Sequence, residues 1–109
     1  MKTVYAVGLG PGSLALLTPE AREVIGHCDT IAGYKTYLEQ IPELLAGKRI
    51  IANGMRQEVD RCRAALEAAN AGAEVAVISS GDAGIYGMAG LLLELAESEE
   101  FRGIEIRVV

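Results

Sequence analysis

Cysteine, histidine and positive charge are all scarce in this 109-residue chain, and each shortage removes a class of function. Cys28 and Cys62 stand 34 positions apart. They make neither a CxxC pair nor a disulfide framework, so both read as small, reduced core residues. The single histidine, His27, falls at a predicted helix end, where it reads as a C-terminal cap. Ten Lys and Arg face fifteen Asp and Glu, for a net charge of −5. A nucleic-acid partner is not expected, because phosphates require a basic face. No apolar run approaches the roughly 20 residues of a membrane span, so no membrane partner is expected either. Met1-Lys2-Thr3 leads straight into a strand-like run without a signal-peptide pattern, and a cytoplasmic setting is the expectation. There is no linker, repeat or low-complexity stretch.

Glycine, by contrast, is abundant: 13 of 109 residues, against a usual share of about 7%. Half the residues are apolar. A chain of this length forms one domain of roughly 13 Å radius with a real core. It is short for an enzyme that must enclose a large substrate.

The segments alternate in type. Val4 to Gly8 is a short apolar run ending in glycine, as a buried parallel strand does. Thr18-Pro19-Glu20 opens a helix with an N-cap, a proline at N1 and an acid in the first turn, and that helix runs to about His27. Thr30 to Gly33 predicts a second strand. Tyr34 to Ile41 predicts a short helix stopped by Pro42. Lys48 to Ala52 is a third strand. Gln57 to Asn70 is a helix with Val59, Cys62, Leu66 and Ala69 on one apolar stripe. Arg56/Asp60 and Arg63/Glu67 are i,i+4 pairs on its wet side, and the stretch from Arg56 to Arg63 reads as a solvated face. Asn70-Ala71-Gly72 ends it. Glu74 to Ser79 is a fourth strand, Ile85 to Ser98 a helix, and Ile104 to Val109 a fifth strand. Alternating strands and helices imply an α/β fold: a five-stranded, mainly parallel sheet with helices on both faces.

Two loops carry the glycines. Gly8-Leu9-Gly10-Pro11-Gly12-Ser13 joins strand to helix, where glycine lets backbone approach a ligand. It departs from the dinucleotide fingerprint, since Pro11 intrudes and the helix starts late, and no Gly-Lys-Ser/Thr follows to make a P-loop. On its own it reads equally as a tight turn. Ser79-Ser80-Gly81-Asp82-Ala83-Gly84-Ile85-Tyr86 again joins strand to helix. Asp82 can cap that helix or accept hydrogen bonds from a ribose or an amino group. Both loops follow strands, and ligands bind such sheets beyond the carboxyl ends of their strands. A third cluster, Gly33-Tyr34-Lys35-Thr36-Tyr37, offers two rings and a cation to an anionic substrate, or reads as a helix start with half-buried tyrosines.

These residues resemble the tetrapyrrole methylase family. The resemblance runs over nearly the whole chain. It is carried by Val7-Gly-Leu-Gly-Pro-Gly12 with Leu17-Thr18, by Gly33-Tyr34 with Tyr37, and by Gly81-Asp82 with Ile85-Tyr86. The phrases GYKTY at 33–37, NGM-x-QE at 53–58 and SSGDAGIYGMAG at 79–90 are similar to one branch of it. That branch methylates C17 of precorrin-3B or cobalt-precorrin-3, with ring contraction, in cobalamin biosynthesis. Many members carry Asp where this chain has Ser13 and Pro where it has Ala83, two departures that mark the branch.

The resemblance implies an S-adenosylmethionine-dependent methyltransferase of two domains. Residues 1–109 match the N-terminal one, and a C-terminal domain is expected to follow. Pro11, Ser80, Gly81, Asp82, Ile85 and Tyr86 fall on positions that help hold the methyl donor. Gly12, Lys35 and Arg56 are candidates for the carboxylate-rich tetrapyrrole, and Ser13 and Tyr34 for proton movement during ring contraction. Family members are homodimers, so a homodimer is expected, and no metal site is. Methyl transfer from a sulfonium asks for orientation and desolvation more than acid–base groups, which suits a chain poor in His and Cys. Two other readings stay open: the same family acting at another tetrapyrrole position or on another acceptor, and a stand-alone nucleotide-binding or interaction module without chemistry.

Overall fold

A computed structural model of the chain describes residues 2–9, 18–39, 41–53 and 58–109, with backbone alone at positions 9, 36, 53 and 80–87. In chain order the elements are β1 (Lys2–Leu9), α1 (Pro19–His27), β2 (Thr30–Tyr34), α2 (Lys35–Leu38), α3 (Pro42–Leu45), β3 (Arg49–Asn53), α4 (Glu58–Asn70), β4 (Val75–Ser80), α5 (Gly81–Ala96), a 3₁₀ turn (Glu99–Phe101) and β5 (Ile104–Val108). The strands lie in the order β3-β2-β4-β1-β5, and all four pairings are parallel.

Alternation along the strands explains the two cores. Val4 and Ala6 of β1, with Val75 and Val77 of β4, pack against Cys62, Leu66 and Leu92 of α4 and α5. Val7, Ala76 and Ile78 point to the opposite face, where they meet Ala21 and Ile25 of α1 and Leu38 of α2. A parallel sheet buried on both faces is apolar at every position rather than at every second one. β5 is the contrasting case. Ile104 and Ile106 pack on the α4/α5 layer, while Glu105 and Arg107 pair with each other on the less covered face. Small residues let α4 close on α5, and Cys62 Sγ lies 3.1 Å from Met88 Sδ.

Helix ends follow their local chemistry. The Thr18 hydroxyl accepts a hydrogen bond from the Ala21 amide at 3.0 Å, capping α1, as its sequence predicts. At the far end of α4, Gly72 takes φ +107°. Its amide donates to Ala69 and that of Ala73 to Ala68, a Schellman closure that a side chain at 72 would strain.

Several expectations need correction. The helix expected from Tyr34 to Ile41 is shorter: Tyr34 ends β2, and α2 spans only Lys35–Leu38 and ends before Pro42. Pro42 instead starts α3 as its first residue, because proline suits the N1 position. α5 starts at Gly81, not Ile85, so residues 81–84 form its first turn and no loop separates it from β4. Of the expected stripe on α4, Cys62, Leu66 and Ala69 are buried but Val59 is half exposed, and Arg61, Ala65 and Ala68 complete the buried side. Arg63 does not pair with Glu67. It reaches Glu100 at 3.2 Å and lies over the Phe101 ring, because Phe101 is fully buried beside it.

Candidate active site

The order of the strands selects one place on the sheet. β1 and β4 are neighbours, yet the chain leaves them in opposite directions. After β1 it crosses to β2 by way of α1 on one face, and after β4 it crosses to β5 by way of α5 on the other. Such a switch point opens a crevice beyond the carboxyl ends of the two strands. The register brings their ends level, with Gly8 opposite Ser79 and Leu9 opposite Ser80. Both glycine-bearing segments of the sequence therefore leave the sheet side by side.

The next strand adds the third cluster to the same edge. Gly33 of β2 is opposite Ile78, one step inside. A Cβ at Gly33 would lie 3.0 Å from Leu38 Cδ2 and 3.3 Å from Ile78 Cβ, so glycine here lets α2 fold back over the end of the sheet. Tyr34 ends β2, and its ring meets Tyr37 edge-on at 5.2 Å and 76°. Lys35 opens α2 and is exposed.

Ser80 is the last residue of β4, and Gly81, Asp82, Ile85 and Tyr86 lie in the first turns of α5. Asp82 is thus the second residue of that helix rather than the cap before it. Pro11, Gly12, Ser13 and Arg56 lie outside the described residues. Of the residues named from the sequence, the described backbone brings Tyr34, Lys35, Ser80, Gly81 and Asp82 to one edge.

Two side chains at this edge were not legible as site residues. Arg61 is 3% exposed and Ser79 is 4% exposed. Neither Nε nor Nη1 of Arg61, nor Oγ of Ser79, has a hydrogen-bond partner. The run of charges around Arg61 suggests a wet face. The better signal is the i, i+4, i+7 row of Arg61, Ala65 and Ala68, which puts the arginine in line with two small apolar residues.

The thiols stand apart from this edge chemistry. Cys28 and Cys62 are both buried and unbridged. Loss of hydration pushes each thiol up to about 11, so neither is a nucleophile near neutral pH. His27 closes α1 at the opposite edge, its Nε2 2.7 Å from Glu74. The expected His27 cap is taken instead by Lys48, whose ammonium donates to the carbonyls of Gly26 and Cys28, while the imidazole turns to Glu74. A hollow of about 500 Å³ lies at that amino-terminal edge as well, lined by Lys2, Tyr5, His27 and Glu74. Its Lys2, His27 and Glu74 are exposed, with Lys2 donating to Asn70 and His27 meeting Glu74, and neither Arg61 nor Ser79 lines it. Among the described residues no group of His, Cys, Asp and Glu could hold a metal ion, and no helix is long and apolar enough to cross a membrane.

A family model described as Tetrapyrrole (Corrin/Porphyrin) Methylases matches residues 3–109. The chain belongs to the tetrapyrrole methylase family. This methylase domain is 48% identical over 103 residues to a probable cobalt-factor III C(17)-methyltransferase of Salmonella typhimurium, covering 94% of this chain and 42% of that protein. It is 49% identical over 109 residues to a cobalt-factor III methyltransferase of Priestia megaterium, covering 97% of this chain and 20% of the relative. Its fold matches the crystal structure of the methyltransferase CobJ with a TM-score of 0.85 at 39% identity, over 99% of this chain and 46% of that one. The methylase domain thus spans less than half the length of each of these relatives.

Proposed function

We propose that this chain is the N-terminal domain of an S-adenosylmethionine-dependent methyltransferase that methylates C17 of precorrin-3B or cobalt-precorrin-3, with ring contraction, in cobalamin biosynthesis. The observation that carries the reading is the meeting of two glycine-bearing strand ends at a switch point. The identity of 48% to a protein named as a cobalt-factor III C(17)-methyltransferase supports the choice of reaction. The proposed enzyme is a cytoplasmic homodimer whose second domain supplies the other wall of the crevice.

The residues of this edge suit a donor that needs orientation. When bound, S-adenosylmethionine supplies a methyl group on a sulfonium, already attached to a good leaving group. Ser80, Gly81 and Asp82, with Pro11, Ile85 and Tyr86, hold and orient it. The Asp82 carboxylate accepts hydrogen bonds from ribose hydroxyls or an ammonium and does not serve as the base. Closing the crevice excludes water, which strengthens every polar contact inside. The acceptor carries many carboxylates, and a domain of charge −5 must offer local cations. Lys35 and Arg56 take that role, with Gly12 leaving room for the macrocycle. Ring contraction moves protons, and the hydroxyls of Ser13 and Tyr34 are the groups that relay them.

The test is calorimetry with S-adenosylhomocysteine on the two-domain protein. Asp82→Ala should weaken binding by about 10-fold or more, the usual effect of losing a hydrogen bond to a charged group. Unchanged affinity would remove Asp82 from the donor site. The 109-residue chain alone should bind weakly, and tight binding by it would favour a stand-alone nucleotide-binding module. The position of the transferred methyl, read by NMR of the product, separates C17 from other tetrapyrrole positions.

A further inference from the structure

Arg61 and Ser79 contain all the buried side-chain nitrogen and oxygen atoms that lack a hydrogen-bond partner among the described residues. A guanidinium cannot escape burial by losing its proton. Nε and Nη1 together carry three of its five N–H donors, so the larger part of its bonding capacity is unused. A buried unpaired cation is strongly unfavourable, and an arriving anion relieves it.

Both groups belong to the same layer and the same edge. Ser79 continues the alternation of Val75 and Val77, which face α4 and α5. It is the next-to-last residue of β4, opposite Gly8 of β1. α4 runs against the strands: Asn70 at its end accepts a hydrogen bond from Lys2 at the start of β1. Its first turn therefore lies at the carboxyl edge. Helical side chains lean toward the helix N-terminus, which carries Arg61 toward that edge too. Glu58 and Asp60, its acidic neighbours in the first turn, are exposed and form no ion pair with it among the described residues.

We infer that Arg61 and Ser79 form a buried carboxylate-binding site in the floor of the switch-point crevice. The guanidinium supplies the charge and the hydroxyl a further donor. Its ligand is a carboxylate of one of the two co-substrates: the amino-acid end of the methyl donor, or an acid arm of the tetrapyrrole. The inference rests on the methyltransferase reading above.

The experiment uses the two-domain protein and two matched pairs of probes. S-adenosylhomocysteine is compared with 5′-methylthioadenosine, which lacks the amino-acid part. Uroporphyrin is compared with its octamethyl ester. In ¹⁵N spectra, the Arg61 Nε–Hε signal is identified by its loss in Arg61→Met. It should shift with the acid of one pair and not with its carboxylate-free counterpart, and the pair that responds names the source. Arg61→Met and Ser79→Ala should each weaken binding of that acid by roughly 10- to 100-fold and leave the counterpart unchanged. Ligand-free Arg61→Met should melt no lower than the parent, because an apolar chain of similar length replaces an unpaired charge. Should Arg61→Met fail to fold, Ser79→Ala carries the test, since its hydroxyl has no bond to lose. An unchanged acid-to-neutral affinity ratio in both variants overturns the inference and leaves the methyltransferase reading standing. A parent protein that binds none of the four probes overturns both.

Discussion

Gly33 is the residue on which the third cluster of the edge turns, and its replacement by alanine tests the packing directly. The added Cβ would lie 3.0 Å from Leu38 Cδ2 and 3.3 Å from both Leu38 Cγ and Ile78 Cβ. Ordinary carbon contacts are about 3.5–4.0 Å. The Ile78 Cβ is fixed to a central strand and cannot rotate away, so Leu38 has to yield. Leu38 is 4% exposed and ends α2, a helix of only four residues. Overpacking of this kind costs about 1–3 kcal/mol, which for a domain near 100 residues lowers the melting temperature by several degrees per kcal/mol, roughly 4–8 °C. Leu38→Ala alone should cost about 2–5 kcal/mol through the cavity it leaves. The double variant should be less destabilised than the sum by about 1 kcal/mol or more, because the truncated side chain makes room for the new methyl. Urea unfolding of the four proteins gives the coupling, and near-ultraviolet circular dichroism follows the Tyr34–Tyr37 pair. Additivity within about 0.5 kcal/mol, or an unchanged stability of Gly33→Ala, would refute the close-approach argument.

The remaining predictions concern a helix cap and the thiols. Thr18→Ala removes the cap of α1 and should cost about 1 kcal/mol, whereas Thr18→Ser should be close to neutral; thermal melts decide between them. Neither Cys28 nor Cys62 should react with a disulfide reagent at pH 8 in the folded protein, and both should react in denaturant. Each thiol titrates near 11 when folded, against 9 for an ordinary one, because burial disfavours the thiolate. Stability should therefore hold below pH 9 and fall between pH 9 and 11, where the unfolded chain releases protons that the folded one keeps. A pH-independent unfolding midpoint across that interval would contradict the burial of the thiols.

Much of this architecture was legible in local patterns. Apolar runs at Val4, Thr30 and Glu74 located three strands to within one or two residues, and Thr18-Pro19 located the start of α1 to the residue. These signals are local because a strand buried on both faces must be apolar throughout and a helix end must satisfy its own amides. The misreadings came where distant residues intervened. Val59 fits an apolar stripe by spacing, yet it is half exposed. Arg63 ignores its i+4 neighbour because Glu100 and Phe101 arrive from the far end of the chain. The turn after β4 reads as a glycine-bearing loop, yet it is helix from Gly81 onward.

The division has a physical basis. Sequence alone determined the element types, the α/β class and, through motif resemblance, the family to which the chain belongs, because each depends on periodicity or short-range chemistry. Tertiary structure alone decided that β4 inserts between β1 and β2, that the two glycine-bearing strand ends therefore lie side by side, and that Arg61 is buried rather than wet. Those facts depend on which surfaces meet across tens of residues, and no local pattern encodes that meeting.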